Sequence, residues 1–339
     1  MNVRRLISPL RVAAVGLVAV VVAIVILLTQ SSNEYLLVPD PAHPLAHLVQ
    51  VPGARAGGAR GGIYYVDLFE RKASLLERWF PGLRDGATLV QHDQLAPAGV
   101  SDQQRLEADR LDMRLSQQVA SAVALRAAGY RVRIREMGVR VALVYLQTHA
   151  YGVLRPDDVI VAADAKRVRS TLELHDILAR HKVGDRVPVT FVRAGQTRHA
   201  TITTSADPYD DNRAILGIQP QPALSIRVPF QVKFNLENVG GPSAGLAFAL
   251  QILEELGRNV DHGYKVAATG VIAPDGSIGQ IGGARQKIFG ARQAHVDVFL
   301  VPAGDNYREA RKDAGNVRVI PVKSFQQALH ALATLPPKA

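Results

Sequence analysis

The sequence of 339 residues contains no cysteine. No thiol can therefore act as a nucleophile, and the composition is compatible with an oxidising compartment without requiring one. The sequence also lacks the pattern G-x-x-x-x-G-K-[ST] anywhere along its length. It therefore carries no phosphate-binding loop of the kind found in P-loop ATPases.

Acidic residues are the minority among the charged groups, with 30 Asp and Glu against 40 Lys and Arg, and the formal net charge is +10. A positive excess of this kind favours contact with an anionic membrane surface or cell envelope. Nucleic acid is the alternative partner for a chain with this positive charge. The basic residues are spread along the chain without a recognisable nucleic-acid-binding module, so we expect no nucleic-acid partner.

An apolar run without a charge extends from Val12 to Leu28. It is close to the length of a membrane-spanning helix and longer than the apolar core of most signal peptides. Arg4, Arg5 and Arg11 precede the run, whereas the first charges after it are acidic. The positive-inside rule then keeps residues 1–11 in the cytoplasm and places the bulk of the chain outside.

A cleaved signal peptide is the alternative to an anchor. The stretch TQSSNEY after the apolar run offers only a poor small-residue cleavage site, at Ser31. The sequence therefore favours an uncleaved, single-pass anchor in the cytoplasmic membrane, formed by residues 12–29.

The region from residue 30 to residue 130 shows no catalytic constellation. Its segment AHLVQVPGARAGGARGGIYYVDL predicts a strand, a basic turn and a second strand, paired as a hairpin beside the membrane. Further on, Ser101 and Gln104 form a capping-box pair, which predicts a long helix that ends at Gly129.

Residues 131–205 alternate strands, turns and one short helix. The segment LRPDDVIVAADAKRV resembles the LxxGDxIxxxNGxxV pattern of PDZ domains, with Asp157 where glycine is usual and Ala165 in place of the turn glycine. PDZ domains bind extended peptide ends as an added strand and hold the terminal carboxylate in a backbone nest. The alternative is that the same residues only form the core of a small β domain. The nest and groove that the resemblance implies consist of Glu136, Met137, Gly138, Val139, Leu174, Ile177 and Leu178.

A single serine, Ser243, stands in the segment NVGGPSAGLAFAL, where a glycine-proline turn leads into an apolar run. The ordinary interpretation is a cap at a helix N-terminus. The surroundings also suit a nucleophile, because Gly241 allows a tight backbone and Ala244 leaves space beside the hydroxyl. A helix N-terminus in addition offers free N–H groups that can hold an oxyanion.

A nucleophilic serine needs a base, and no histidine follows Ser243 until His262 and His295. Lys287 is the candidate, because a helical projection of GGARQKIFGARQAH puts it on a small, apolar face, whereas Gln286 and Phe289 fall on the polar side. Burial on such a face lowers the pKa of a lysine, as a lysine base requires. The other residues of the small face are Ala284, Gly290, Ala291 and Ala294.

Four motifs in order carry a resemblance to the Lon peptidase family, whose catalytic pair is Ser-Lys. They are GPSAG around Ser243, ATG at 268–270, IGQIGGARQK ending at Lys287, and VFLVP at 298–302. The resemblance covers residues 225–335. It implies a peptidase domain, and the missing phosphate-binding loop indicates that this domain comes without the ATPase of the family.

Carried over position by position, the resemblance implies Ser243 as nucleophile and Lys287 as neutral-amine base. Thr269 matches a threonine beside the pair, although a strand-end threonine satisfied by the backbone is an equally open interpretation. Gly241 and Ala244 are implied as support for the site. Familiar family members have an acidic residue just before GPSAG, but here Gly240 stands at that position. We expect neither a metal nor another cofactor.

The whole order of segments resembles the membrane-anchored PDZ and Lon-domain proteins of bacteria. The expected fold class is therefore a multidomain α/β and α+β protein, with a transmembrane helix, a small α/β region, a PDZ-like β domain and a Lon-type α/β proteolytic domain. The expected boundaries are 1–11 for the cytoplasmic N-terminus, 12–29 for the anchor, 30–130 for the N-terminal extracytoplasmic region, 131–205 for the PDZ-like domain and 206–339 for the peptidase domain.

The leading hypothesis is a membrane-anchored, ATP-independent serine endopeptidase that cleaves unfolded or flexible polypeptides outside the cytoplasmic membrane. The PDZ-like module would recruit substrate or gate the site. The alternative is a catalytically silent PDZ scaffold or binding protein of the cell envelope. Relatives of the peptidase domain assemble into rings, so a homo-oligomer stays open, although no stretch of the sequence identifies an interface.

Overall fold

The computed structural model describes residues 9–54, 61–95, 100–207, 210–236, 239–336 and 338. Arg4 and Arg5, which the topology prediction uses, lie outside these residues. The helices are α1 (Pro9–Thr29), α2 (Leu75–Trp79), α3 (His92–Leu95), α4 (Asp102–Ala127), α5 (Thr171–Leu178), α6 (Gly245–Glu255), α7 (Ala284–Gln293), α8 (Asp305–Lys312) and α9 (Phe325–Ala333), with a 3-10 helix at Pro81–Leu83.

The strands belong to one central sheet of the expected peptidase domain, called the catalytic sheet below, to one sheet of the expected PDZ-like domain, called the PDZ sheet below, and to several small sheets. In the first half of the chain they are β1 (Ser31–Pro39), β2 (His43–Pro44), β3 (Val49–Gln50), β4 (Gly62–Tyr65), β5 (Leu68–Ser74), β6 (Thr88–Val90), β7 (Arg133–Val144), β8 (Val159–Ala163) and β9 (Lys166–Arg167). In the second half they are β10 (Arg186–Arg193), β11 (Gln196–Thr203), β12 (Ser205–Asp207), β13 (Asp210–Ile215), β14 (Ile218–Arg227), β15 (Lys233–Phe234), β16 (Lys265–Ala268), β17 (Val271–Ile272), β18 (Ile278–Gly279), β19 (Val298–Pro302) and β20 (Arg318–Val322).

Helix α1 contains the apolar run and is long and apolar enough to cross a membrane, with a mean hydropathy of 3.1 over Val12–Thr29 and no part of that window buried. A signal sequence near an N-terminus has the same properties. The chain passes from α1 into β1 with a single residue between them, and the Gln30 carbonyl accepts a hydrogen bond of 2.9 Å from the N–H of Leu75 at the start of α2.

The PDZ sheet has the strand order β11-β10-β8-β7-β14, with β9 paired to β8. Its core is apolar, with Val139 and Ile160 both fully buried. Both departures from the PDZ pattern have left-handed backbone, with φ of +74° at Asp157 and +58° at Ala165. These positions therefore adopt the conformation that glycine favours, although their side chains make it more costly.

The catalytic sheet has the order β2-β4-β16-β19-β20, in which β4, β16, β19 and β20 run parallel and β2 is antiparallel to β4. Parallel strands need cover on both faces. Helix α6 packs against β4 and β16, while α7 and α8 pack against β19. Thr269 follows the carboxyl end of β16, where ligand and catalytic sites of parallel sheets usually lie.

The packing does not follow the division between residues 30–130 and the peptidase domain that we expected. Strand β4 comes from the N-terminal region and pairs with β16 in register Ile63 to Val266. Helix α4 confirms the predicted capping box at Ser101, and its buried residues share one hydrophobic core with α6. The N-terminal region and the expected peptidase domain thus form one folded unit, called the catalytic body below, and the PDZ segment lies between the two parts of that body along the chain.

The predicted hairpin beside the membrane is wrong. Strand β3 pairs with β15 and strand β4 pairs with β2 and β16, so the two strands are not partners. The local sequence, with its alternating apolar residues and basic turn residues, is compatible with a hairpin as well as with the pairing that the structure shows. The sequence does not reveal that a distant parallel strand offers β4 a buried partner.

We predict that Ile63→Ala destabilises the catalytic body. Ile63 is 1 % exposed on β4, and removing a buried isoleucine side chain typically costs about 2–5 kcal/mol. Urea unfolding of the full chain in detergent should show a lower midpoint for the peptidase transition. Leu106→Ala, at a 53 % exposed position, is the matched control and should leave the midpoint unchanged. An unchanged midpoint for Ile63→Ala would mean that the N-terminal region is not part of this cooperative unit.

Candidate active site

Ser243 lies in the turn that precedes helix α6. The helix is capped by Ala244 without a side-chain hydrogen bond, so the hydroxyl of Ser243 does not serve as the N-cap acceptor. Gly241 has a φ of +78°, and its N–H donates to the Asp109 carbonyl of α4 at 2.9 Å. The Ser116 hydroxyl of α4 donates to the Pro242 carbonyl at 3.0 Å. Helix α4 therefore holds the turn on both sides of the proline.

The structure brings Lys287 directly to Ser243. Lys287 lies in the first turn of α7, and its Nζ is 2.7 Å from the Ser243 Oγ. The lysine side chain is 3 % exposed, whereas Ser243 is partly exposed. One partner of the pair is thus shielded from water and the other is open to a substrate.

Thr269 joins the pair from the end of β16. The Lys287 Nζ donates to the Thr269 Oγ1 at 3.4 Å, and this hydroxyl donates to the Ser243 carbonyl at 3.1 Å. The N–H of Gly270 donates to the same carbonyl at 2.7 Å. Thr269 thus contacts both Lys287 and the backbone. It is therefore a strand-end threonine satisfied by the backbone and also a neighbour of the candidate pair.

Two backbone N–H groups beside the serine are not used in backbone hydrogen bonds among the described residues. Among the described residues, neither the N–H of Ser243 nor that of Ala244 donates to a backbone carbonyl. Close packing at Gly245 keeps this turn near β17, because a Cβ there would lie 2.7 Å from the Ile272 Cγ2. The unpaired N–H groups have the character of an oxyanion site.

Burial sets the protonation of Lys287. Removal from water lowers the pKa of its amine to about 8, although the Asp67 carboxylate acts in the opposite direction. A substantial fraction of the amine is therefore neutral slightly above neutral pH. A neutral amine can accept a proton from a hydroxyl at hydrogen-bond distance.

The position where the resemblance places an acidic residue, Gly240, lies against helix α4. A Cβ at Gly240 would be 3.0 Å from the Asp109 Cβ. Burial raises the pKa of the Asp109 carboxyl, which the Arg105 guanidinium partly counteracts. A carboxyl group is therefore present beside Gly240, but it comes from another part of the chain.

Among the described residues, neither of the alternative bases forms a hydrogen bond with the serine hydroxyl, which is bonded to Lys287. His262 and His295 are exposed turn residues with left-handed backbone, at φ of +49° and +52°.

The helical projection is wrong for Gln286 and Phe289, which are buried at 2 % and 6 % exposure. Gln286 donates to the Thr88 Oγ1 at 2.7 Å, so a segment distant in sequence covers this side of α7.

Asp40, His43 and Asp67 form the one grouping within the described residues whose donor atoms, all within 4.8 Å of one another, have the spacing of a metal site. The His43 Nε2 and the Asp40 Oδ2 are hydrogen-bonded at 2.7 Å. The His43 and Asp40 atoms are thus already hydrogen-bonded to each other, and the charge of the Lys287 amine lowers the pKa of Asp67. A cation would compete with both interactions, and we assign no metal to this cluster.

The expected peptide nest at residues 136–139 does not have the geometry for strand addition. Strand β7 carries these residues and is paired on both sides, with β8 and with β14. A Cβ at Gly138 would lie 2.4 Å from the Ile160 carbonyl oxygen, and Val139 is fully buried. Close packing between two strands therefore explains this glycine. Met137 is 54 % exposed, and Leu174 is a core residue.

The edge of the PDZ sheet next to α5 is β14. This strand is the last in the sheet order, and α5 packs against both β14 and β7. Gly217 immediately precedes β14 with a φ of +80°, and its carbonyl accepts from the Tyr145 N–H at 2.9 Å. Among the described residues, the N–H groups of Leu216 and Gly217 donate to no backbone carbonyl. Successive unpaired N–H groups of this kind form an anion-binding nest.

Comparison with known families matches two parts of the chain. A PDZ domain model matches residues 126–204, and a model of the Lon protease (S16) C-terminal proteolytic domain matches residues 237–333. The chain therefore combines a PDZ domain with a Lon-type proteolytic domain, and the predicted fold class is confirmed. Ser243, Thr269 and Lys287 all lie inside the proteolytic match, whereas β14 lies between the two matches.

Individual relatives are similar over short stretches. Lon protease 2 of Bacillus subtilis (strain 168) is 32% identical over 99 residues, which are 29% of this chain and 18% of that protein. Lon protease of Neorickettsia sennetsu (strain ATCC VR-367 / Miyayama) is 32% identical over 94 residues, which are 26% of this chain and 11% of that protein. The chain thus matches less than a fifth of either curated relative. The crystal structure of the PDZ domain of an SdrC-like protein from Listeria monocytogenes is 28% identical, covers 25% of this chain and 87% of that chain, and has a TM-score of 0.23.

Proposed function

We propose that the chain is a serine endopeptidase in which Ser243 is the nucleophile and Lys287 the general base. The observation that carries the proposal is the 2.7 Å contact between the buried Lys287 amine and the partly exposed Ser243 hydroxyl. An ordinary structural lysine has no reason to be desolvated against two hydroxyls. The similarity to Lon-type proteolytic domains supports the same assignment.

The reaction begins when the neutral Lys287 amine takes the proton of the Ser243 hydroxyl. The serine oxygen attacks the peptide carbonyl, and the N–H groups of Ser243 and Ala244 hold the developing oxyanion. The Lys287 ammonium then gives its proton to the leaving amine. Water releases the acyl group from the serine, with Lys287 as base again. Thr269 orients the amine by accepting its second hydrogen bond.

The proposed substrates are flexible or unfolded polypeptides, cleaved without ATP. No phosphate-binding loop occurs in the 339 residues, so this chain has no such device for pulling folded proteins apart. We place the enzyme in the cytoplasmic membrane with its catalytic body outside, held by α1. The length and hydropathy of α1 support this placement.

We further propose that the PDZ domain recruits substrate C-termini along the free edge of β14, with the carboxylate in the nest at Leu216 and Gly217. Pro220 and Pro222 in this strand have no N–H, as is typical of edge strands. The edge therefore offers few backbone donors to an added strand. The nest must then contribute a large part of the binding, which makes a free carboxylate the feature that is recognised.

Replacement of the base provides the first test of the mechanism. Lys287→Arg keeps the charge but cannot give up its proton near neutral pH, so hydrolysis should fall by about 10²–10⁴-fold or more. The kcat/KM of the wild type should rise with pH through about 8, because the amine must be neutral and its pKa is lowered to that value. Exposed Lys312→Arg is the matched control and should retain wild-type activity.

Near wild-type hydrolysis by folded Lys287→Arg would rule out the Ser-Lys mechanism. A serine-directed acylating probe separates the enzyme from a silent scaffold, since it should label Ser243 in the wild type and leave Ser243→Ala unlabelled. Absence of labelling in the folded wild type would favour the scaffold.

Recruitment can be tested by changing only the end of the substrate. A flexible peptide with a C-terminal amide should have a KM about tenfold higher than the same peptide with a free carboxylate, because hydrogen bonds to a charged group contribute about 1.5–3 kcal/mol. The kcat should be unchanged. Leu178→Ser, on the partly buried side of α5, should raise the KM of the free-acid peptide, whereas Leu172→Ser, at a 67 % exposed position, should not. Equal KM values for the acid and the amide would refute carboxylate recognition.

The anchor can be tested by fractionation of cells that produce the protein. The full chain should stay in the membrane fraction after carbonate washing, because α1 is an apolar span. External protease should digest the chain beyond Glu34 in spheroplasts. Recovery of a soluble form that begins near Ser32 would instead identify a cleaved signal peptide.

A further inference from the structure

The face of α7 that carries Lys287 is covered by the N-terminal region of the chain. Gly283, Lys287 and Gly290 lie on one side of the helix, because they are four and three positions apart. A Cβ at Gly283 would lie 2.3 Å from the Leu68 side chain, and one at Gly290 would lie 1.9 Å from the Asp40 carbonyl oxygen. Leu68 and Asp40 therefore lie against this face on the two sides of the lysine.

This cover brings a small acidic cluster to the amine. Asp40, His43 and Asp67 have side-chain donor atoms within 4.8 Å of one another, and the His43–Asp40 hydrogen bond of 2.7 Å ties two of them together. The Asp67 Oδ1 is buried and has no hydrogen-bond partner among the described residues. Burial of a carboxylate oxygen without a hydrogen-bond partner costs free energy, so its presence here calls for a functional explanation.

The charge states of the cluster fit such a function. Burial and the neighbouring Asp40 raise the pKa of Asp67 to about 6, whereas His43 and Lys287 act to lower it. Asp67 is therefore mainly ionised at the pH where the lysine begins to lose its proton. Its negative charge opposes the effect of burial on the Lys287 amine.

We propose that Asp67, held in place by Asp40 and His43, is a positioning residue that stabilises the Lys287 ammonium formed when the amine takes the Ser243 proton. This proposal rests on the Ser-Lys mechanism above. In an apolar pocket without a counter-charge, the ammonium is disfavoured and the amine becomes a weak base. A fixed carboxylate offsets that cost in the protonated state, as the buried carboxylate of a Ser-His-Asp triad does for the imidazolium.

Other charged side chains on the elements packed around α7 do not compete for this role. Most of them are engaged in an ion pair or a backbone hydrogen bond of their own, and the others, Lys72, Glu309, Arg311 and Lys312, are not among the charges that affect the pKa of the Lys287 amine. These contacts are Arg285 with Asp313, Arg292 with the Asp313 carbonyl, Arg308 with Asp305, Glu70 with Arg105, Arg71 with Glu77, and Arg78 with Glu34. Asp67 is thus the charged group to which Lys287 responds.

The test is the pH dependence of hydrolysis of a short peptide amide by the full chain. In Asp67→Asn the ammonium loses its counter-charge, so its pKa falls and the rising limb of kcat/KM moves to lower pH, by about one unit. The plateau rate should fall about tenfold, because a weaker base takes the serine proton less readily. Asp67→Glu, which keeps the charge, should restore much of the plateau rate and return the rising limb towards its wild-type pH. Asp305→Asn, at an exposed ion pair, is the control and should shift neither.

A second readout does not depend on activity. In the Ser243→Ala background, the Lys287 side-chain signal can be titrated by NMR, with Lys287→Met as the assignment control. Adding Asp67→Asn should lower the titration midpoint. The proposal would be overturned if Asp67→Asn folds but changes neither the titration midpoint of Lys287 nor the pH of the rising limb of kcat/KM. Failure of the wild type to hydrolyse peptide would refute the proposed function instead, while the midpoint still tests the electrostatic effect of Asp67 on Lys287.

Discussion

The removal of one lysine amine from water is the constraint on which the rest of the site depends. In solution an amine of this kind is an ammonium at neutral pH and cannot accept a proton. Lys287 is 3 % exposed, and this burial is the main reason why its pKa lies near 8. Such burial needs cover on all sides of the side chain. The helix must therefore be small where its neighbours approach, and Gly290, against the Asp40 backbone, meets that requirement.

The same constraint explains why the catalytic body is larger than the stretch that resembles Lon proteases. The match begins at residue 237, but the segments that contain Asp40 and Leu68 lie against the face of α7 that carries Lys287, and the turn that carries Ser243 is held by α4. These segments also supply a strand to the central sheet and a helix to the main core. An isolated C-terminal stretch would leave both the sheet edge and the lysine exposed to water. The PDZ domain is therefore bracketed in sequence by two parts of one folded unit.

Prediction from the sequence identified two side chains that meet where a local motif marks each of them. Ser243 and Lys287 stand in motifs whose order and spacing indicated the pair, and the structure places them in contact. It failed where long-range pairing decides the outcome. No motif marks Asp67, whose relevance depends on how the N-terminal region folds over α7. Gln286 was assigned to a polar face because a helical projection contains no information about the distant segment that covers it.

The peptide nest illustrates the same limit. Gly138 has the sequence context of a carboxylate loop, but β7 is paired on both sides, and the free edge belongs to β14, which lies beyond the matched PDZ residues. Along the chain, β14 leads to the turn that carries Ser243. Phe230, between the two, packs edge-on against Tyr130 just after α4, with ring centroids 5.2 Å apart. Helix α4 in turn holds the nucleophile turn through Ser116. The segment that joins the PDZ sheet to Ser243 therefore packs beside the end of the same helix that holds the Ser243 turn.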